Sequence, residues 1–362
     1  MYYPEVVRID LTGDCNLRCR HCQTSMFLKK AAHDLGTTEW KRIISEVAAA
    51  GGLLVTFLGG EPLLRDDAVE LVEHARSVGL RVAITTNGTT ITADLAKSLV
   101  RSAAYLGVSF DGPDGSSHDR MRGKGSFDRA IRGLRALLHA RTGDEAPQAA
   151  IGISATLNRY SHDRFERFVD LAIETGASSI TISEVHDGGR ASRNWENIRI
   201  STDEMRHAAV RFITRCHTLE FKGELRLDFF TARFRDWIEA TLGIKTDRPM
   251  RFDNSGMTEC YIQHDGIMFP SQQVSEMKPG NMAGLAGKLG IEFQQNDLKT
   301  TGFHDIWNGP AFRRFREFVA SKSYWQDYAG CQDCKHLGMT CDPGTARWLR
   351  DEATSHPLCR SA

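Results

Sequence analysis

The sequence predicts an α/β protein: a partial (β/α)6 TIM-like barrel followed by a smaller, loop-rich C-terminal domain. Three observations carry this. Short apolar runs alternate with amphipathic helical stretches six times between Val6 and Glu184. After about Leu242 the alternation stops and the chain becomes irregular. The nine cysteines fall into two groups, three within residues 15–22 and four within residues 331–359, with Cys216 and Cys260 standing apart.

Residues 6–11 read as the first strand. A helix over residues 39–50 follows, with Trp40, Ile43, Ile44 and Val47 on one face and Gly51-Gly52 at its end. Residues 53–58 are almost continuously apolar, the pattern of a strand buried on both faces. Residues 67–78 form a helix whose apolar face is Ala68, Leu71, Val72 and Ala75, with Gly79 as its stop. A strand over 81–86, a helix over 92–100 and a strand over 104–110 come next. Ser126 is placed as the N-cap of a helix that buries Phe127, Ile131, Leu134 and Leu138. A strand over 150–156, a helix over 161–174 and a strand over 179–184 complete six units, and a long helix over 202–216 closes the region. Its apolar face, Met205, Ala209, Phe212 and Ile213, takes in Cys216 as a core residue. Such units imply a parallel sheet with right-handed crossovers and functional loops at the C-terminal strand ends. The expected domains are residues 1–242 and 243–362.

Composition bounds the partners. The 46 acidic and 46 basic residues cancel, so the chain as a whole is drawn neither to nucleic acid nor to an anionic membrane, although a local basic patch is compatible with this balance. No apolar run reaches bilayer length, and the first residues lack a basic region followed by an apolar stretch, so the expected compartment is the cytoplasm. In that reducing setting, closely spaced cysteines point to metal ligation or catalysis before disulfides.

Cys15, Cys19 and Cys22 give C-x3-C-x2-C directly after the first strand. Three thiolates on one loop can bind three irons of a cubane, leaving a fourth iron open to an outside ligand. Structural zinc is the alternative, with His21 as fourth ligand; a histidine between two of the cysteines is awkward to place in one tetrahedron with them. Gly59-Gly60-Glu61-Pro62 follows the second strand, and Thr86-Asn87-Gly88 the third.

On these residues the chain resembles the radical S-adenosylmethionine (SAM) superfamily. The resemblance implies a [4Fe–4S] cluster on Cys15, Cys19 and Cys22, with SAM chelating the open iron. One electron then cleaves SAM to methionine and a 5′-deoxyadenosyl radical, which takes hydrogen from an unactivated substrate carbon. It further implies SAM contacts from Gly59, Gly60, Glu61 and Pro62, the motif that faces the SAM amine, and from Asn87, Ser109, Asp111, Asn158 and Arg190. Glu61 would offer a negative partner to the ammonium and the glycines would let backbone approach the ligand. His21 departs from the aromatic residue often found before the third cysteine.

Cys331, Cys334, Cys341 and Cys359 offer four further thiolates. A four-cysteine zinc site rivals an auxiliary cluster here. The preceding residues 303–308 resemble the SPASM extension of radical SAM enzymes, and on that resemblance the four cysteines are ligands of an auxiliary [4Fe–4S] cluster. A second, inner auxiliary cluster is not expected, because Ser271 and Thr345 stand where cysteines would be. That leaves Cys260 unaccounted for, either a buried free thiol or a hydrogen donor to the substrate radical. The favoured reading is epimerisation or oxidation of a small polar metabolite such as a sugar or aminoglycoside, since the first strand begins almost at once and leaves no room for a peptide-recognition domain. The alternatives are a ribosomal peptide substrate or, in another class, a non-catalytic zinc-binding interaction protein. An electron donor such as flavodoxin or ferredoxin is the expected partner.

Overall fold

Alternate residues of the six expected strands are large and apolar, and this period of two sets the architecture. The computed structural model describes residues 2–26, 34–141, 149–227, 232–244, 254–277, 279–327 and 331–337. Strand β1 (Val6–Asp10) pairs in parallel with β2 (Leu54–Leu58), and the pairing continues through β3 (Arg81–Thr86), β4 (Tyr105–Ser109), β5 (Ala150–Leu157), β6 (Ser179–Glu184) and β7 (Glu224–Leu227). All six expected strands are present, each within a residue of its expected ends. Neighbours in sequence are neighbours in the sheet, joined by right-handed crossovers through helices. These helices are α1 (Thr37–Ala49), α2 (Ala68–Ser77), α3 (Ala93–Ser102), α4 (Gly115–Arg122), α5 (Ser126–Ala140), α6 (Arg167–Thr175), α7 (Arg190–Ile198) and α8 (Thr202–Thr218), followed by α9 (Ala232–Leu242).

The C-terminal part joins the same sheet. Strand β8 (Glu259–Ile262) lies parallel to the other edge of β1, and β9 (Met268–Phe269) runs antiparallel beyond it, giving the order β7-β6-β5-β4-β3-β2-β1-β8-β9. Among the described residues β7 and β9 do not pair, so the barrel is open. These three strands are too short to read from periodicity. Beyond β9 lie α10 (Gln272–Ser275), α11 (Pro279–Leu289), α12 (Phe303–Trp307) and α13 (Pro310–Ser321). They bury Tyr261, Phe269, Phe293, Phe315 and Tyr324 in a second apolar cluster. Trp307 joins the main core and donates its indole N–H to the Tyr2 carbonyl at 2.9 Å, tying the N-terminus down.

The two faces of the sheet differ sharply. Val7, Ile9, Val55, Phe57, Val82, Ile84, Leu106, Val108, Ile151, Ile153, Ile180 and Ile182 form the helix-covered face and are essentially unexposed. Burying each stabilises the fold by ~1.5–3 kcal/mol. The alternate residues, Arg8, Asp10, Thr56, Thr85, Ser109, Ser154, Thr156, Thr181 and Ser183, line the concave inner face. Strand β2 is buried on both faces, as its apolar run predicts, with Thr56 the polar residue it turns inward. Toward the N-terminal strand ends the inner face is filled by Tyr105, which crosses Gly107 and Gly152; a Cβ on Gly152 would lie 2.7 Å from the Tyr105 hydroxyl. The C-terminal half keeps its small hydroxyl side chains.

One cap is corrected. Ser126 is the first residue of α5, not its cap; Gly125 holds the N-cap position in the left-handed region (φ 71°). Asp119 supplies the capping oxygen, accepting from Phe127 N–H at 2.9 Å. Asp119 belongs to α4, which the apolar periodicity did not reveal.

Candidate metal centre

The C-terminal end of β1 leads straight into the cysteine loop, and that loop is held from every side. Leu17 and Cys19 are buried while Arg18 and Arg20 are exposed, so the loop turns one side inward and the other to solvent. At its start, Thr12 Oγ1 and Gly13 N–H both donate to Asp34, which pairs in turn with His264 Nδ1 at 3.0 Å. Gly60 N–H donates to Thr12 O at 2.8 Å and Glu61 N–H to Asp14 O at 2.7 Å. This close approach is why glycine is required. Gly59 has φ 127°, and its Cβ would sit 2.6 Å from Thr12 O; a Cβ on Gly60 would overlap the Asp14 carbonyl. The glycines thus bring two backbone segments into contact.

Glu61 fixes the same junction from within. It is 1% exposed, and its carboxylate accepts from Thr86 Oγ1 (2.6 Å), Asn87 N–H (2.7 Å) and Leu63 N–H (3.2 Å). Burial pushes its pKa up, and these three donors oppose the rise. It fastens the second loop to the third. Pro62 starts a short 3-10 turn behind it. Asn87 carries the fastening on to the cysteine loop, donating its side-chain N–H to Asn16 Oδ1 at 2.8 Å. Arg190, at the start of α7, donates Nε–H to Cys19 O and its own N–H to Cys22 O, each at 3.0 Å. Gly189 before it has φ 55°, and a Cβ there would lie 2.6 Å from Cys22 O. Asn158 spends its amide on Asp111 O (2.7 Å) and Thr156 O (2.8 Å). Ser109 alone of the expected contacts keeps a hydroxyl with no hydrogen-bond partner among the described residues, on the inner face beside Ser154.

The centre of the clamp is a fully buried carboxylate. Asp111 receives Arg122 Nε at 2.5 Å and Nη2 at 3.3 Å, and His21 Nε2 at 2.5 Å. Burial opposes its charge, but Arg122 and His21 outweigh this and hold its pKa well below the usual carboxylate range. The Arg122 guanidinium, itself almost enclosed, stays charged through Asp111 and the nearby Cys19 sulfur. Arg122 was missed in the sequence because it ends α4, an element of low apolar content. Its signal was present only as an arginine eleven positions after Asp111.

The three thiols are close enough to repel one another as thiolates. Burial is the largest effect, pushing Cys19 up to about 12, with Arg122 opposing it and Asp111, Cys22 and Cys15 adding to it. Cys15 is raised too, chiefly by burial, with Glu61 and Cys22 contributing. Metal binding by thiolates releases their protons, and Arg122 supplies a fixed positive charge beside Cys15 and Cys19. Among the described residues no three His, Cys, Asp or Glu side chains close on one point, as ligands of a single ion must. Three thiolates from one loop are the donor set of a cubane with one open corner.

Cys260 lies elsewhere. It pairs with Val7, shares that residue's helix-covered face, is wholly buried in the main apolar core, and has its pKa pushed well up by burial. Of the two readings of Cys260 left open by the sequence, the buried free thiol is the one that fits: its neighbour Tyr261 takes the inner face, and Cys260 points to the helix side. Cys216 is buried on α8, as expected. Ser271 caps α10, accepting from Val274 N–H. Cys331 and Cys334 form a turn, with Cys334 N–H donating to Cys331 O at 2.9 Å. Cys341, Thr345 and Cys359 lie outside the described residues.

The radical SAM superfamily model matches residues 9–172, and the SPASM model, an iron–sulfur cluster-binding domain, matches residues 254–335. The AdoMet-dependent heme synthase of Methanosarcina barkeri is 33% identical over 322 residues, 87% of this chain and 85% of its own. The chain belongs to the radical SAM superfamily. The PqqA peptide cyclase of Xanthomonas campestris is 26% identical over 99% of this chain and 89% of its own. Against the Fe-coproporphyrin III synthase of M. barkeri, 34% identical over 220 residues, the chain spans only 53% of the relative's length. Streptococcus suis SuiB, solved bound to S-adenosylmethionine, shares the fold with a TM-score of 0.70 at 17% identity, covering 99% of this chain and 76% of that one. As a radical SAM enzyme with a SPASM domain, the protein uses SAM, a SAM-binding [4Fe–4S] cluster and auxiliary iron–sulfur chemistry. Among the described residues no helix is long and apolar enough to cross a membrane.

Proposed function

We propose that this radical SAM enzyme modifies a peptide, oxidising or cross-linking it at an unactivated carbon. The observation that carries this is the end-to-end similarity to a peptide cyclase, which covers both the cysteine loop and the SPASM region. Epimerisation, the outcome that relied on a free thiol near the substrate, loses that support, because Cys260 faces the core. A hydroxyl-lined inner face suits a substrate rich in amide groups.

Cys15, Cys19 and Cys22 would hold the SAM-binding cluster, and Cys331 and Cys334, with Cys341 and Cys359, the auxiliary one. Residues from about 243 onward are proposed as the auxiliary-cluster unit, anchored to the core through β8. When bound, cluster and SAM together supply a one-electron reductive cleavage that yields a carbon radical. The chain's own contribution is to set the loop rigidly. Gly59, Gly60 and Gly189 bring backbone against it, Glu61 and Asn87 join the loops, and Asp111 ties His21 to Arg122. Arg122 presents a buried cation suited to a carboxylate, and Ser109 an open hydroxyl. Such support holds a reactive group in place without reorganisation during reaction.

The second reading is conversion of a heme precursor, favoured by the 33% identity to a heme synthase. The test is anaerobic incubation with SAM and reductant of candidate precursor peptides, uniformly deuterated, beside deuterated iron-coproporphyrin. Deuterium entering 5′-deoxyadenosine from a peptide supports the proposal. Transfer from the porphyrin alone replaces it with the second reading.

A further inference from the structure

The outward side of the cysteine loop carries positive charge that the fold leaves uncompensated. Arg18 and Arg20 on the loop, Arg120 on α4, Lys124 just beyond it and Arg193 on α7 are all exposed. None has an acidic partner among the described residues, in a chain whose charges cancel overall. They are held together. Arg20 N–H donates to Met121 O at 2.9 Å, and Asn194, next to Arg193, donates to Arg20 O at 3.3 Å. Arg120 and Arg20 share one aromatic ring: their guanidinium carbons lie 4.3 Å and 5.9 Å from the Tyr160 centroid, and Arg20 Nη1 donates to the Tyr160 hydroxyl at 3.3 Å. The ring face offsets part of the repulsion between two like charges and keeps them extended toward solvent.

Placement gives this patch its meaning. Burial alternates along the loop, with Leu17 and Cys19 inward and Arg18 and Arg20 outward. A molecule seated on the cations is therefore one backbone layer from the Cys19 sulfur. A substrate needs the inner face of the sheet, on the other side of that layer. A one-electron donor needs only to come close. We propose that Arg18, Arg20, Arg120, Lys124 and Arg193 form the docking surface for a small acidic one-electron carrier protein of the flavodoxin or ferredoxin kind. The surface rests on membership of the radical SAM superfamily and is independent of whether the substrate is a peptide. Charge complementarity of this sort steers encounter and weakens as salt rises.

The test uses the cluster-loaded enzyme and recombinant flavodoxin. The Kd is measured calorimetrically at low and high salt for the wild type, for Arg18→Glu/Arg120→Glu/Arg193→Glu, and for Arg132→Glu/Arg135→Glu on the exposed side of α5. In parallel, 5′-deoxyadenosine formation is followed with reduced flavodoxin and with titanium(III) citrate. The expected result is binding at least roughly tenfold weaker in the triple variant, with most of its salt dependence gone. The α5 variant should bind as the wild type does, and titanium(III) citrate should drive SAM cleavage equally in all three. Should the triple reversal disturb the loop, Arg193→Glu alone, outside it, must still weaken flavodoxin binding while leaving the titanium-driven rate intact. Equal weakening by the α5 variant would reduce the effect to net charge and overturn the proposal. So would unchanged flavodoxin affinity in the triple variant, or a patch that binds acidic precursor peptide and not flavodoxin.

Discussion

Asp10 gives the sharpest quantitative test of the inner face. It ends β1 with its side chain inward, 2% exposed, accepting from the Tyr261 hydroxyl through Oδ2, while Oδ1 has no hydrogen-bond partner among the described residues. Burial, reinforced by Glu276 and opposed by the Tyr261 hydrogen bond, pushes its pKa from 3.8 up to about 8. The folded protein therefore keeps a proton that the unfolded chain releases above pH 4. Any stability tied to that proton is complete below the unfolded pKa and is lost as pH rises toward the folded one. Replacing the carboxyl with a neutral amide of the same shape, Asp10→Asn, abolishes the loss. Relative to the variant, wild type should lose ~1.4 kcal/mol per pH unit across the window, roughly 4 kcal/mol between about pH 5 and about pH 8, and nothing further above it. Anaerobic thermal melts of both proteins across that range measure it. The melting temperature of Asp10→Asn should overtake that of wild type progressively toward pH 8. Parallel curves would show Asp10 ionised in the fold and refute the reasoning.

Other consequences are equally direct. Asp111→Asn leaves the Arg122 guanidinium buried without its counter-charge, so stability should fall by about 3–5 kcal/mol, and iron bound at the first loop should fall with it, read by melting and iron analysis. Gly60→Ala forces the Asp14 carbonyl aside; reconstituted iron should drop by about four per chain while the far-ultraviolet circular dichroism stays that of the wild type. Cys260→Ala should leave both 5′-deoxyadenosine formation and uptake of solvent deuterium into product as in the wild type, because its thiol faces the helices. A changed deuterium pattern by mass spectrometry would return Cys260 to the active site. Thr86→Val removes one of three donors to Glu61 and should cost about 1–3 kcal/mol, visible as a lower melting temperature.

The periodicity of the chain by itself determined the six parallel strands and most of their helices, because burial under a helical layer demands apolar residues at fixed spacing. The cysteine loop was equally legible, since ligands on one short segment carry their geometry in their spacing. What only tertiary structure decided was which polar residues touch which. Asp111, Asn158, Glu61 and Asn87 read as ligand contacts along the chain, and only the fold shows that their side chains also bond to one another's loops, as buried polar groups must find partners. Arg122 and the short strands β7 to β9 left no periodic trace, because a residue near the end of a polar helix and segments of two to four residues lack the length to show one. Even the fate of Cys260 turned on a register, Val7 beside it, and a shift of one residue would have put its sulfur on the opposite face of the sheet.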